Sequence, residues 1–413
     1  MNIWTKQKLA EICDVRDGTH DSPKPATAGY PLVTSKHLIN NKIDFTSAYF
    51  ITDDDYSGVN KRSKVDKFDI LISMIGTVGE IALVKEEPKF AIKNVGLLKT
   101  GNEGLGKYLF YYLISPAGKN TLKSFLTGST QKFISLGKLR DLPITLPPEE
   151  YQRKITSVLS AYDDLIENNE KRIKTLEEMA QILYTEWFVK FKFPGYEKVK
   201  MIDSGTEYGI VPEGWMVKPL SKVADIVRGC SYSSEEIDDS AGDYYIVNLK
   251  SFNRGGGFRF DGAKYYSGEI NENQKLNVGD IVIAVTDMTN DRAVIARPAR
   301  IPEINEKITF SADVVKINSD ALPNSFIYEL LSTYKFTETT KQMANGANVL
   351  HLKPTAILEF ETLIPEPMVL EKFDVICKPY ISEIDKLLKL NNNLSKTRDL
   401  LIPQLVTGKR EVK

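Results

Sequence analysis

Three cysteines, three histidines and no long apolar run are what this 413-residue chain has least of. Cys13, Cys230 and Cys377 stand singly with no C-x-x-C spacing, which excludes a disulfide framework and a cysteine zinc site and fits a reducing cytoplasm. His20, His37 and His351 form no H-E-x-x-H or similar ligand spacing, so no metal is expected. The apolar stretches are short and strand-like, as at 281–285, against the roughly 18 residues that span a bilayer. The first residues lack the apolar core of a secretory signal, and the expected location is cytoplasmic. Positive charge is not in excess either: 54 Lys+Arg against 55 Asp+Glu leave a net −1. Phosphate neutralisation usually supplies most of a protein's affinity for DNA, so any DNA surface here must be a local patch. The charge is uneven, with 20 basic and 15 acidic residues over 1–148 but 16 and 22 over 212–367.

Catalytic signatures are also missing. There is no Asn/Asp-Pro-Pro-aromatic tetrad of the kind N-methyltransferases carry, and no strand-borne G-x-G-x-x-G. Gly101 to Lys107 fits G-x-x-x-x-G-K, but Tyr108 stands where a P-loop needs Ser or Thr for magnesium, so the segment reads as a turn before a helix. Asp69 with Glu87-Pro88-Lys89 can be set against a D…E-x-K nuclease pattern, yet the counterpart region has Asp280 and then Arg297-Pro298. Asp69 and Asp280 read better as residues closing turns before strands. No catalytic residue is assigned, and the chain is expected not to be an enzyme.

What the chain does have is a second copy of itself. Trp4, Leu9, Gly18 and Asp69 recur 211 positions later as Trp215, Leu220, Gly229 and Asp280. Pro147, Ile166, Leu176 and Leu183 recur at an offset of 218 as Pro365, Ile384, Leu394 and Leu401. A repeat of that length means two similar units, and a partner that is itself bipartite, such as DNA with two half-sites, is the natural match. Each copy opens with strand-like runs and turn chemistry, as at 69–73 and 80–84 in the first and 279–284 and 292–296 in the second. Each closes with a heptad seam.

The first seam runs Ile155, Leu159, Tyr162, Ile166, Asn169, Ile173, Leu176, Ala180, Leu183, Trp187. Pro147-Pro148 and the acidic pair Glu149-Glu150 suit its start, and a helix over 150–188 would be about 58 Å long. The second keeps the phase through Tyr380, Ile384, Leu387, Asn391, Leu394 and Leu401, with Pro379 and Pro403 expected to start, kink or end its helix. Two seams in one chain should pack antiparallel, with Asn169 and Asn391 as candidates for fixing register. The fold expected is α+β: two pseudo-symmetric globular domains, 1–148 and 215–367, separated by two long antiparallel helices, 149–190 and 368–413, with 191–214 as an extended linker.

The segment Leu146-Pro147-Pro148-Glu149-Glu150-Tyr151-Gln152-Arg153-Lys154-Ile155, continuing through Ala161-Tyr162-Asp163-Asp164-Leu165-Ile166-Glu167-Asn168-Asn169, resembles the specificity subunits of type I restriction-modification systems. So do the entry to the second unit, Val211-Pro212-Glu213-Gly214-Trp215, and the distal stretch from Leu394 to Gly408. The resemblance implies two target recognition domains, each reading half of a bipartite asymmetric site in double-stranded DNA, with the helices setting the spacing. It implies docking of methyltransferase subunits, two in number, and of restriction/translocase subunits. S-adenosylmethionine, ATP and magnesium would reside on those partners, and no cofactor on this chain. Leu387 and Arg398 stand where the first helix has Asn169 and Ala180, so the two docking surfaces are expected to differ. The other reading is a tandem-repeat protein-binding scaffold that never touches DNA, favoured by the net charge.

Base edges are read by Arg, Lys, Asn, Gln, Ser and Thr, and phosphates by Lys, Arg and backbone N–H groups. The donor-rich loops of the first unit offer Thr19, His20, Ser35, Lys36, Lys61, Arg62, Lys64, Ser129, Thr130, Gln131 and Lys132 as DNA contacts. Those of the second offer Ser231, Tyr232, Lys250, Asn253, Arg254, Arg259, Thr286, Asn290, Arg292, Asn345 and Asn348.

Overall fold

The computed structural model describes residues 4–128, 132–260, 262, 264–288, 292–346 and 349–412. It divides into two units, one formed by 1–166 with 394–413 and the other by 167–393.

In the first unit, strand β1 (Asp14–Asp17) is followed by helix α1 (Asp53–Ser63). Thr52 caps α1 by accepting the Asp55 N–H, three aspartates fill its first turn, and Lys61 and Arg62 lie in its last, a charge order that suits the helix dipole. Strands β2 (Ile70–Ser73), β3 (Ile81–Leu83) and β4 (Val95–Lys99) complete an antiparallel sheet in the order β1-β4-β2-β3. All four residues of β2 are buried, because alternate side chains enter two separate cores. Ile70 and Ile72 join Leu98 and Tyr108, while Leu71 joins Leu97 and Phe90. Helix α2 (Glu103–Ile114) covers the first of these cores, capped by Asn102. The long helix α3 (Glu149–Tyr184) begins here, with Ile155 and Leu159 in the same core.

The second unit repeats that strand order. Strands β5 (Asp225–Arg228), β6 (Ile281–Ala284), β7 (Pro298–Arg300) and β8 (Val314–Asn318) form a sheet ordered β5-β8-β6-β7. An offset of 211 carries β1 onto β5 and β2 onto β6. Both units need glycine just after the first strand: a Cβ on Gly18 would lie 2.7 Å from the Ile92 carbonyl oxygen, and one on Gly229 2.2 Å from that of Ser311. Helix α4 (Asn324–Ser332) packs on this sheet, and the second long helix, α5 (Pro367–Leu405), follows.

Within the second unit, α3 and α5 run antiparallel. Asn169 donates to Asn391 at 2.8 Å, Arg172 meets Glu383 at 2.7 Å, and Ile173 packs with Ile384 and Leu387. Within the first unit, Arg398 of α5 pairs with Asp163 of α3 at 2.6 Å. Ile166, Ile384 and Leu387 are buried, while Tyr162, Leu176, Leu183, Tyr380, Asn391, Leu394 and Leu401 are half-buried.

Several expectations are corrected. The strand occupying the place of 80–84 in the second unit is Pro298–Arg300, not 292–296, because the Asp287 carboxylate captures the Val294 and Ile295 N–H groups at 2.8 and 3.0 Å, taking them from any ladder. The segment 191–214 is folded rather than an extended linker. It forms a hairpin of Met201–Asp203 with Ile210–Pro212, buries Phe193 and Val211, and stacks Phe193 on Trp215 with ring centroids 5.1 Å apart. Apolar burial of its aromatics outweighs the loop-like composition. Helix α5 is continuous past Pro379, which is exposed while Phe373 and Cys377 are buried before it, so Pro379 neither starts nor ends the helix, whereas Pro403 falls in its last turn as expected. The first seam ends in a π-helical turn, Thr185–Val189, and just before it Tyr184 is buried while the seam residue Leu183 is half-buried.

Candidate nucleic-acid interface

In the first unit, two of the sequence-derived contacts, His20 and Arg62, meet at Asp17, which is not among those contacts. Asp17, the last residue of edge strand β1, has a buried carboxylate. Its Oδ1 accepts from Arg62 Nη2 at 2.5 Å and its Oδ2 pairs with His20 Nε2 at 3.0 Å. The other ring nitrogen of His20 meets Asn94 Oδ1 at 2.8 Å, and Ser35 Oγ donates to the Asn94 carbonyl at 3.2 Å. Asn94 adopts a left-handed backbone, φ 53°, a conformation in which asparagine is among the commonest non-glycine residues. Thr19 is buried, and its hydroxyl accepts the Asp21 N–H at 3.1 Å, so it serves the turn rather than the surface. Lys36, Lys61 and Lys132 are exposed. Lys64 is exposed and pairs with Asp66 at 3.0 Å, a hydrogen bond that raises its pKa. Ser129, Thr130 and Gln131 lie outside the described residues.

In the second unit, two groups of loops are drawn together. Gly255 N–H donates to the Ala293 carbonyl at 3.0 Å, which ties the loop bearing Asn253 and Arg254 to the one bearing Arg292. Asn253 itself spends its amide on the Phe258 carbonyl at 3.2 Å, and Arg292 Nη1 reaches the Lys341 carbonyl at 3.4 Å. Thr286 is buried, 3.4 Å from His351 Nδ1, in the strand pair Thr286–Asp287 with Leu350–His351. Asn345 bridges to His351 through the backbone, which brings 286 and 345 to one place. Lys250 is exposed, Arg259 half-buried, and Ser231 and Tyr232 are exposed, with Tyr232 tilted against Tyr266 and apart from those loops. Asn290 and Asn348 lie outside the described residues.

Asp17, Asn94 and Asp287 organise these loops, yet nothing in the local sequence marks them. Each acts on partners distant in the chain or on backbone N–H groups, which leave no residue pattern.

Asp69 and Asp280 close their turns by accepting the N–H groups of Asp66 and Asn277, each at 2.8 Å, and pair with Lys99 and Lys316. Lys107 spends its ammonium on Glu103 at 2.6 Å, one turn away on α2. A cavity of about 30 Å³ in the second unit is lined by Glu177, Arg300, Tyr328, Glu329 and Tyr380, room for about one water. Burial pushes Glu329 up to about 8, and burial raises Glu177 as well. Arg300 is committed to Asp385 at 2.9 Å. Among the described residues no group of three or more His, Cys, Asp or Glu is placed to hold a metal, and no helix is long and apolar enough to cross a membrane.

Two sheets of like strand order with donor-bearing loops define the class by fold: a mixed helix-and-strand protein. The family described as "Type I restriction modification DNA specificity domain" matches residues 1–208, and the chain belongs to that family, the specificity subunits of type I restriction-modification systems. It is 26% identical to the type I restriction enzyme MjaIX specificity subunit of Methanocaldococcus jannaschii, across 99% of this chain and 94% of that protein. It is 22% identical to the HindI specificity subunit of Haemophilus influenzae, across 99% and 100%. The crystal structure of a type I restriction-modification S subunit from M. genitalium shares the fold, with TM-score 0.53 and 16% identity over 98% of this chain and 96% of that one.

Proposed function

We propose that the chain is the non-catalytic DNA-specificity subunit of a type I restriction-modification complex, with each unit acting as a target recognition domain for one half of a bipartite, asymmetric site. The supporting observation is that one strand order recurs beneath two different donor sets: Asp17, His20 and Arg62 in the first unit, and the loops of Arg254, Arg292 and Asn345 in the second. A shared frame with unlike loops suits two related readings of unlike half-sites. The pseudo-symmetric pair of long helices sets the spacing between those halves and docks two methyltransferase subunits. Restriction/translocase subunits complete the assembly, and S-adenosylmethionine, ATP and magnesium act on the partner subunits.

The experiment is selection from a randomised duplex library by the chain co-purified with its methyltransferase partner. Two fixed blocks separated by a constant gap are the expected product; one block, or none, overturns the bipartite reading. The scaffold alternative rests on the net charge of −1. Replacing Lys61, Arg62 and Lys64 together by Glu separates the two: a DNA reader loses at least about tenfold in affinity at moderate salt, because phosphate neutralisation is lost. A scaffold shows no change.

A further inference from the structure

The clasp around Asp17 is more than packing requires. Burying a carboxylate costs free energy unless it is paired, and here both partners are themselves largely exposed, Arg62 at 61% and His20 at 65% against 11% for the Asp17 side chain. An acid at the sheet edge therefore holds two outward-facing side chains still. Arg62 is fixed at both ends: its guanidinium by Asp17, and its backbone carbonyl by Arg16 Nη1 at 3.3 Å. Asp17 engages Nη2 of a guanidinium that has five N–H donors in a planar fork, on a side chain that is 61% exposed. His20 has both ring nitrogens engaged by Asp17 and Asn94, so it is a buttress rather than a donor.

A rigid fork is what bidentate recognition of guanine O6 and N7 demands, whereas a phosphate is gripped as well by a mobile cation. We propose that Asp17 is a positioning residue that presents Arg62 to a guanine edge in the half-site read by the first unit. The inference rests on the DNA-reading function proposed above and deepens it. The second unit keeps the glycine and the strand but not the device: an offset of 211 places Arg228 where Asp17 stands and Ser231 where His20 stands. The clasp belongs to one half-site alone, and the other half-site is an internal control for folding.

The test compares wild type, Asp17→Asn, Asp17→Glu, Arg62→Ala and Asp17→Asn/Arg62→Ala, each in complex with the methyltransferase partner, by the same library selection. Asp17→Asn keeps the side-chain shape and removes the charge. It should reduce the preference for one G·C pair in a single block by about tenfold while leaving the second block intact, a factor that corresponds to about 1.4 kcal/mol. Arg62→Ala should erase that same preference, the double variant should be no worse than Arg62→Ala, and Asp17→Glu should recover part of it. Unchanged selection by Asp17→Asn, or an even weakening of the block with its preference retained, overturns the clasp. Should Asp17→Asn lose both blocks, the Arg62→Ala arm decides alone, and an unchanged first block there overturns the inference. A wild-type complex that enriches no sequence removes the DNA reading itself, and the clasp with it.

Discussion

At the residue scale, charges in this protein act through where they are buried rather than through their number. Glu329 on α4 is desolvated, with Glu177 adding to its raised pKa and Arg300 opposing, and sits near 8 instead of the ordinary 4.5. The folded chain therefore holds a proton that the unfolded chain releases above about 4.5, and stability contributed at low pH is lost progressively as pH rises toward about 8. Glu329→Gln should raise the stability of the second unit by roughly 1–3 kcal/mol at pH 8 and leave it unchanged near pH 4.5. Thermal melts at the two pH values measure this, and an equal gap at both would show that ionisation is not the cause. The sequence located the donor loops at this scale but not what each donor does. Thr19 and Thr286 are buried, Thr19 serving its own turn and Thr286 lying near His351, 65 residues on, while His20 is spent on Asp17 and on Asn94, 74 residues away.

At the scale of elements, the heptad seams were legible because their apolar spacing is local. What was not legible is how polar and apolar layers are matched. The repeat relates Asn169 to Leu387 and Ile173 to Asn391, each 218 apart, so the Asn169–Asn391 hydrogen bond has as its repeat counterpart the packing of Ile173 with Leu387. Likewise Asp163–Arg398 in the first unit has as counterpart the pair Ile381 and Ala180, which line one cavity in the second. Each polar pair thus has an apolar counterpart, and a register slip would bury an unpaired amide or charge. Asn169→Ala should cost about 1–2 kcal/mol in chemical denaturation, because it removes the amide hydrogen bond that Asn169 donates to Asn391. Replacing both asparagines by Leu should cost less than the single change or stabilise outright, at the expense of the register signal. A double variant less stable than Asn169→Ala would count against that account.

At the scale of the whole molecule, the chain begins and ends in the same unit. Ile402, Leu405 and Val406 are buried in the first core beside Leu9 and Tyr108, and the Tyr108 hydroxyl donates to the Val406 carbonyl at 3.3 Å. Gly408, with φ 69°, lies so close to Trp4 that a Cβ would sit 2.9 Å from the indole. Truncation after Asn393 removes those three buried side chains from the first unit, a loss of about 4.5–9 kcal/mol at about 1.5–3 kcal/mol each, comparable to the whole stability of a domain. Limited proteolysis should then cut within 1–148 while the second unit resists; equal resistance of both would show that the C-terminal segment is dispensable to the first core.

The sequence by itself determined the duplication, the two long helices with their seams, the family, and the loops on which donors cluster. All of these rest on periodicities and motifs confined to short stretches of chain. Only the tertiary structure decided that 191–214 folds into the second core, that β7 rather than 292–296 completes the second sheet, and that Asp17 holds Arg62. The last of these joins partners 45 residues apart, and the Asn169–Asn391 contact between the long helices joins partners 222 apart. A carboxylate carries no mark of the cation it will meet until the backbone brings the two together.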